Sequence, residues 1–331
     1  MLRTRFCDLL AIEHPIVNAP MGDRWAGGAL AAGVSAAGGL GLIGGQASEG
    51  QPDQADWLRA QIGRVRARTD RPFGVGFVVP FLTAFGQEDL PRVALEEGVA
   101  AVAYSYGDPT PYVAAAHEAG AKVLVQVQTV AQARRAVAAG VDAVVAQGSD
   151  GGGHIGDVGT VSIVPAVVDA AEGVPVLAAG GITDGRGLAA ALLLGAEGVW
   201  LGTRFVASEE WEGGDWRRVG VVAAGTDDTI RTLVYDRAWG LPMPDGIVGR
   251  VVRNAFTGEW HGREAELVAR LAEVRPRVEA ATEAGDTQIG SVWAGQGVGL
   301  VDAVEPAGAI VRRLVDEAEC LLRERPSQLL R

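Results

Sequence analysis

The chain reads as an α/β protein, a (β/α)8 TIM barrel with a smaller cap inserted after its eighth strand, and three observations predict this. First, a phrase in which a helix ends in glycine and a short aliphatic run follows recurs in "EEGVAAV" (96–102), "EAGAKVLV" (118–125), "AAGVDAVV" (138–145), "AEGVPVL" (171–177) and "LLGAEGVWL" (193–201). Its glycines, Gly98, Gly120, Gly140, Gly173 and Gly195, stand 22, 20, 33 and 22 residues apart, about the length of one helix plus one strand. Glycine closes a helix because it enters the left-handed region without a Cβ clash; the run after it lacks alternation because a parallel strand is buried on both faces. Second, eight such aliphatic runs fit between residues 16 and 202. Third, the rhythm stops after residue 208, and five of the eight tryptophans gather between 209 and 300.

Taken in order, strands are expected near 16–21, 40–45, 73–79, 100–105, 122–127, 142–147, 174–179 and 197–202, with early helices near 26–37 and 53–68. Thr129 opens the helix "TVAQARRAVAAG" and Asp184 opens "DGRGLAAALLLG", each offering an oxygen to the free amides of a first turn. This alternation favours a closed barrel, with a doubly wound open sheet as the alternative. Residues 1–208 are expected to form the barrel, 209–300 the cap, and 301–331 a final barrel helix, "PAGAIVRRLVDEAECLLRE". The cap holds a strand-like "TIRTLVY" and a charged helix around 262–283. Its tryptophans, Trp211, Trp216, Trp239, Trp260 and Trp293, are expected to form its own core rather than to touch substrate.

With 331 residues, 48% hydrophobic and 21% charged, the chain can bury a large core. A net charge of -12 argues against nucleic-acid and anionic-membrane partners, which demand a cationic surface. Cys7 and Cys320 lack metal-type spacing, so neither a disulfide framework nor a metal site is expected, and a reducing cytoplasm fits. The N-terminal basic and apolar run is interrupted by Asp8 and Glu13, with no small-residue cleavage site, so no export signal is read. No apolar run is long enough to span a membrane. A soluble, cytoplasmic protein is expected, and a homo-oligomer stays open.

In such a barrel the C-terminal ends of the strands share one mouth. The loops there are "APMGDRW" after the first strand, "GGQ" after the second, "QGSDGGGHIG" (147–156) after the sixth, "AAGGITD" after the seventh and "LGTRF" after the eighth. The last two lie where these barrels hold phosphate. Gly180 and Gly181 expose backbone amides, and Gly202 and Thr203 add an amide and a hydroxyl beside a short helix. Either loop alone is equally a tight turn; together they favour a phosphorylated ligand. In the sixth loop three glycines precede His154, which by itself could equally be an exposed loop histidine. His14 before a proline, His117 within a helix and His261 in the cap have structural readings.

The stretches "NAPMG", "AAGGLGLIGG", "QGSDGGGHIG", "AAGGITDGRGLAAALLLGAEGVWLGTRF" and "VWAGQGVGLVD" occur in that order, and from about residue 12 to 320 the chain resembles the nitronate monooxygenase family, formerly the 2-nitropropane dioxygenases. That family's FMN barrel is shared with flavin-dependent enoyl-ACP reductases. The resemblance implies FMN as cofactor, with Gln147 as the amide bonded to the flavin ring and Gly152 as backbone close to it. It further implies that Gly181, Trp200, Leu201, Gly202 and Thr203 form the phosphate segments, and that Ala19, Pro20 and Met21 lie against the isoalloxazine. His154 matches the catalytic base, and the glycines before it would let the chain lie flat beside the cofactor. The implied substrates are a small nitronate or nitroalkane and O2. The nitronate gives an electron to the flavin, oxygen completes the conversion to a carbonyl compound and nitrite, and His154 takes the α-proton of a neutral nitroalkane.

Three departures from the family stand out. Gly76 stands where the family carries an Asn near the flavin, which removes one expected flavin contact. Asp150-Gly151 replaces Glu-Ala before the Gly-Gly-His, and the segment between His154 and the seventh strand is shorter than the family's, both altering the pocket wall. The competing readings are an NAD(P)H-dependent flavin enoyl(-ACP) reductase, a non-catalytic flavin-binding protein, and a flavin-free phosphate-binding isomerase or aldolase. The last would need a strand-end lysine or paired carboxylates, whereas Lys122 starts a strand.

Overall fold

A computed structural model of the chain describes residues 2–46 and 53–330. Met1 and Arg331, which end the expected first and last segments, lie outside the described residues. The strands are β1 (Ile16–Asn18), β2 (Gly41–Gly44), β3 (Phe73–Val78), β4 (Ala101–Ser105), β5 (Lys122–Val127), β6 (Ala143–Gln147), β7 (Gly153–Ile155), β8 (Val176–Ala179), β9 (Gly198–Leu201), β10 (Thr229–Thr232) and β11 (Val248–Val252).

Among the described residues eight parallel strands run in the order β1-β9-β8-β6-β5-β4-β3-β2. All eight stand where the aliphatic runs predict them, trimmed at their ends. The two ends of the row meet through a bridge between Val17 and Leu40, with the Leu40 N–H donating to the Ile16 carbonyl at 2.9 Å. Beside it the Asn18 side chain takes the place of a ladder: its Oδ1 accepts from the Leu42 N–H and its Nδ2 donates to the Leu42 carbonyl, each at 2.8 Å. The sheet is therefore a nearly closed barrel, and the open-sheet alternative falls.

The helix-ending glycines behave as their phrase requires: Gly98, Gly120, Gly140, Gly173 and Gly195 all have φ between 66° and 95°. Thr129 and Gln132 form a reciprocal capping box at 3.2 and 3.0 Å, and Asp184 accepts from the Arg186 and Gly187 amides.

Period-two alternation sorts the strand side chains. Leu42, Ala103, Leu124, Val145, Leu177 and Trp200 point into the barrel, while Val75, Val102, Val125, Val144 and Val199 pack outward under the helices. The bottom is closed by Phe6, Cys7, Leu10 and Ile12, from a helix at Arg5–Leu10 and the turn after it. The N-terminal apolar run is thus a plug of the barrel. Followed upward, the inward parity delivers Gly76, Gln126, Gln147 and Ala179 to the mouth.

Three differences from the sequence reading matter for function. The sixth βα loop is not a plain loop: it contains β7, which pairs antiparallel with β11, and β11 with β10, in a separate three-stranded sheet. A three-residue strand is too short to show periodicity, which is why it is invisible in the sequence. The charged helix breaks at Arg270 into Glu264–Ala269 and Leu271–Ala284. Of the cap tryptophans, Trp260 sits with Tyr235 and Phe256 in the cap core as expected, but Trp211 and Trp293 line the cavity at the mouth. The final helix, Ala307–Leu329, packs on Gly185–Leu193 and Gly28–Ala36. No helix among the described residues is long and apolar enough to cross a membrane, and none of their His, Cys, Asp and Glu side chains cluster as a metal site.

Candidate active site

The mouth encloses a cavity of about 260 Å3. One wall is the chain leaving β1, where Ala19, Pro20 and Met21 follow Asn18. Pro20 explains the first family departure. A Cβ built on Gly76 would lie 2.2 Å from Pro20 Cγ, so the proline ring fills the space that an asparagine side chain would need.

Next to it around the barrel, the loops after β8 and β9 supply main-chain donors. Gly180 and Gly181 have φ of 110° and 70°, a conformation that favours glycine. Gly202 precedes the short helix Thr203–Val206, as expected. The N–H groups of Gly181, Gly202 and Thr203 donate to no acceptor among the described residues. The Thr203 hydroxyl accepts from the Gly295 N–H at 2.9 Å, tying the "VWAGQGVG" stretch to this rim. Three free amides at adjacent strand ends form a cradle for an anionic oxygen group. Trp200 lines the cavity, but Leu201 has the opposite parity and its side chain lies in the buried outer shell, with its carbonyl accepting from the Ala19 N–H.

Gln147 ends β6. Its Oε1 accepts from both Gln126 Nε2 and Gln128 Nε2 at 2.9 Å, which fixes the amide so that its NH2 is the group left for the cavity. Gly152 also lines the cavity, yet the space a Cβ would take there is filled by the Ala294–Gly295 backbone at 2.5 Å. The glycine is required by this chain crossing, a reason different from the flat approach to a cofactor that the sequence reading supposes.

His154 sits on β7, paired with Gly249 of β11, and its ring lines the cavity. Nε2 meets Asp236 Oδ1 at 2.5 Å, and Nδ1 has no partner among the described residues. Asp236 comes from the cap helix Val234–Trp239, is 4% exposed, and its other oxygen has no hydrogen-bond partner among the described residues. A carboxylate accepts only, so the neutral ring carries its proton on Nε2 and turns an unprotonated Nδ1 away from Asp236. The Trp293 ring lies 5.0 Å from the imidazole. Tyr106 donates from its hydroxyl to the His154 carbonyl at 2.8 Å. Burial pushes the Tyr106 phenol up to about 12, against the pull of hydrogen bonds with Gln126 and Gln147, so it stays a donor.

Asp150, the second family departure, accepts from the Thr160 N–H at 2.7 Å and so caps the helix Thr160–Ala170. Arg250 of β11 donates to the Ser149 carbonyl at 2.9 Å and joins the cap to the same loop. The structure thus brings together every expected site residue except the Leu201 side chain. It adds Tyr106, Asp236 and Arg217, which carry no sequence motif, and Trp293, which lies in the "VWAGQGVGLVD" stretch but is expected from the sequence in the cap core.

A parallel barrel whose mouth combines free amides on its last two strands, an oriented glutamine amide and an imidazole over an apolar wall has the architecture of a flavin-dependent oxidoreductase. The nitronate monooxygenase family model matches residues 3–317, and the chain belongs to that family. It is 34% identical to a nitronate monooxygenase of Neurospora crassa, covering 92% of this chain and 89% of that one. It is 32% identical to a (3aS,4S,5R,7aS)-5-hydroxy-7a-methyl-1-oxo-octahydro-1H-indene-4-carboxyl-CoA dehydrogenase of Mycobacterium tuberculosis, over 96% of both. Among solved structures, FabK from Thermotoga maritima superposes with a TM-score of 0.86 at 38% identity, covering 99% of this chain and 100% of that one.

Proposed function

We propose that the chain binds FMN at this mouth and uses it, with O2, to oxidise alkyl nitronates and nitroalkanes to a carbonyl compound and nitrite. The observation that carries this reading is the His154–Asp236 pair at the cavity wall. In this assignment the Gly181, Gly202 and Thr203 amides hold the phosphate, the Gln147 NH2 donates to the flavin ring, and the Ala19, Pro20, Met21 and Gly152 backbone lies along it. Bound there, the flavin supplies the electron-transfer chemistry that side chains lack.

The chain's own contribution is to the proton. His154 Nδ1 takes the α-proton of a neutral nitroalkane, and Asp236 stabilises the imidazolium through Nε2–H as charge develops. The apolar wall keeps water from competing for the base. The test is the visible spectrum and released-cofactor mass of purified protein, followed by oxygen uptake and nitrite release with a preformed nitronate. Flavin-loaded protein that releases no nitrite would remove the proposal.

A second reading, flavin-dependent redox chemistry on a thioester, is favoured by the relative named for a carboxyl-CoA substrate and by the apolar mouth residues Trp25, Phe81, Leu241 and Met243. Its reductase form would use NAD(P)H. Anaerobic bleaching of the bound flavin by NADH or NADPH, compared with bleaching by a nitronate, separates the two.

A further inference from the structure

Arg217 is a cation placed where the reaction described above has no use for one. It lies on the helix Asp215–Ala223, is 8% exposed, and lines the same cavity as His154. Its guanidinium is held between two indoles, 4.5 Å from the Trp25 ring and 4.0 Å from the Trp216 ring. Such a sandwich fixes the plane of the group. Two of its nitrogens are anchored: Nε donates to the Ser291 carbonyl at 3.1 Å and Nη1 to the Gly213 carbonyl at 2.6 Å. Nη2 has no hydrogen-bond partner among the described residues, and Arg217 forms no ion pair with them. Burial pulls the guanidinium down to about 10, with the charge of Asp23 pulling it back up in part. The charge is therefore kept in a desolvated place, aimed, and not neutralised by contact.

A structural role alone would use the two anchored nitrogens and cover the third. Here Arg217 lines a cavity whose lining includes the apolar side chains of Met21, Trp25, Val206, Trp211 and Val292, with Asp23 as the acidic residue that acts on the guanidinium. A partly desolvated guanidinium with free N–H groups in an apolar wall is a strong site for one negatively charged oxygen, because such charge-assisted bonds are roughly twice as strong as neutral ones.

We propose that Arg217 is the anion-recognising residue of this cavity, taking an oxygen of a planar two-oxygen anion, a nitronate or a carboxylate, carried by the molecule that enters. The proposal rests on the reading of the cavity as the substrate site, and it deepens it by making negative charge a requirement for tight binding.

The experiment uses flavin-loaded protein and measures binding apart from turnover with butyrate and 1-nitropropane, and for the nitronate reads the fluorescence change in the mixing phase that precedes flavin bleaching. Propyl-1-nitronate, butyrate and the neutral 1-nitropropane are titrated anaerobically into the wild type, Arg217→Lys and Arg217→Gln, following tryptophan fluorescence, which Trp25 and Trp216 report from either side of the guanidinium. Thermal melts and flavin content establish that each variant is folded and loaded. The expected result is that Arg217→Gln weakens both anions at least about tenfold and 1-nitropropane less than about threefold, with Arg217→Lys between. Loss of the nitronate alone assigns Arg217 to the reacting group, and loss of both anions assigns it to any planar carboxylate-like anion. Unchanged anion affinity in loaded Arg217→Gln overturns the proposal, and so does a variant that loses FMN but binds anions normally once reloaded. Arg217-dependent anion binding without nitrite release would overturn the nitronate reading and leave this one standing.

Discussion

The imidazole of His154 and the carboxylate of Asp236 meet at 2.5 Å although 82 residues separate them in the chain. One belongs to a strand that leaves the barrel, the other to a helix of the cap. Their contact sets the tautomer, and with it which nitrogen is left unprotonated. His154→Asn is expected to keep bound flavin and to lose turnover of neutral nitroalkanes by at least about a hundredfold, while preformed nitronates suffer far less. Equal loss on both substrate forms would refute the base assignment.

Asp236→Asn keeps the shape of the carboxylate and removes its charge. The expected loss on neutral nitroalkanes lies between about tenfold and a hundredfold, smaller than that from removing the base. Preformed nitronates and flavin content should be nearly unaffected. A variant as active as wild type on neutral nitroalkanes would show that the pair is structural.

Pro20 and Gly76 share one volume. Gly76→Ala places a Cβ into the proline ring and is expected to cost about 1 to 3 kcal/mol of stability. Pro20→Ala in the same chain removes the Cγ contact at 2.2 Å but keeps the Cβ at 2.5 Å, so it should return only part of that loss. Denaturant melts of the two single variants and the double variant measure the coupling, and simple additivity would contradict the packing described.

Tyr106 is held protonated by burial until about pH 12, well above its ordinary 10.0. The pH–rate profile is therefore expected to show no limb from this phenol below about pH 11. Tyr106→Phe should cost about 0.5 to 1.5 kcal/mol of stability through the lost bond to the His154 carbonyl. A limb between about pH 9 and 11 that vanishes in Tyr106→Phe would disprove this.

At the far end of the barrel, Asp142 is pushed up by burial but held below its ordinary 3.8 by the Val123 N–H, His117 and Lys122, which together outweigh that burial. A depressed carboxylate stabilises the fold above its unfolded pKa and loses that contribution as pH falls through the folded one. Asp142→Asn should lower stability by about 1 to 2 kcal/mol near neutrality, and the difference from wild type should shrink below about pH 4. A constant difference down to about pH 2 would contradict the assignment.

The barrel was legible because its signals are local. A glycine such as Gly140 ends a helix within its own turn, and the run "VDAVV" after it needs no distant partner to be read as a buried strand. The cradle was legible for the same reason, since Gly180, Gly181 and Gly202 carry their amides in their own backbone. Asp236 was not, because "VYDRAWG" resembles any amphipathic turn until the pairing of β7 with β11 carries the cap across the mouth. Arg217 is one arginine among many until Trp25, from the opposite end of the barrel sequence, lies on it. The N-terminal plug escaped because six helical residues are too few for a periodic pattern.

The antiparallel pairing of Gly153–Ile155 with Val248–Arg250 has a consequence for traffic. The cap sheet and the strand that carries His154 are stitched into one fabric, so that part of the cap cannot swing clear of the opening without taking the imidazole with it. Uncovering the cavity on that side and displacing its imidazole are one and the same movement.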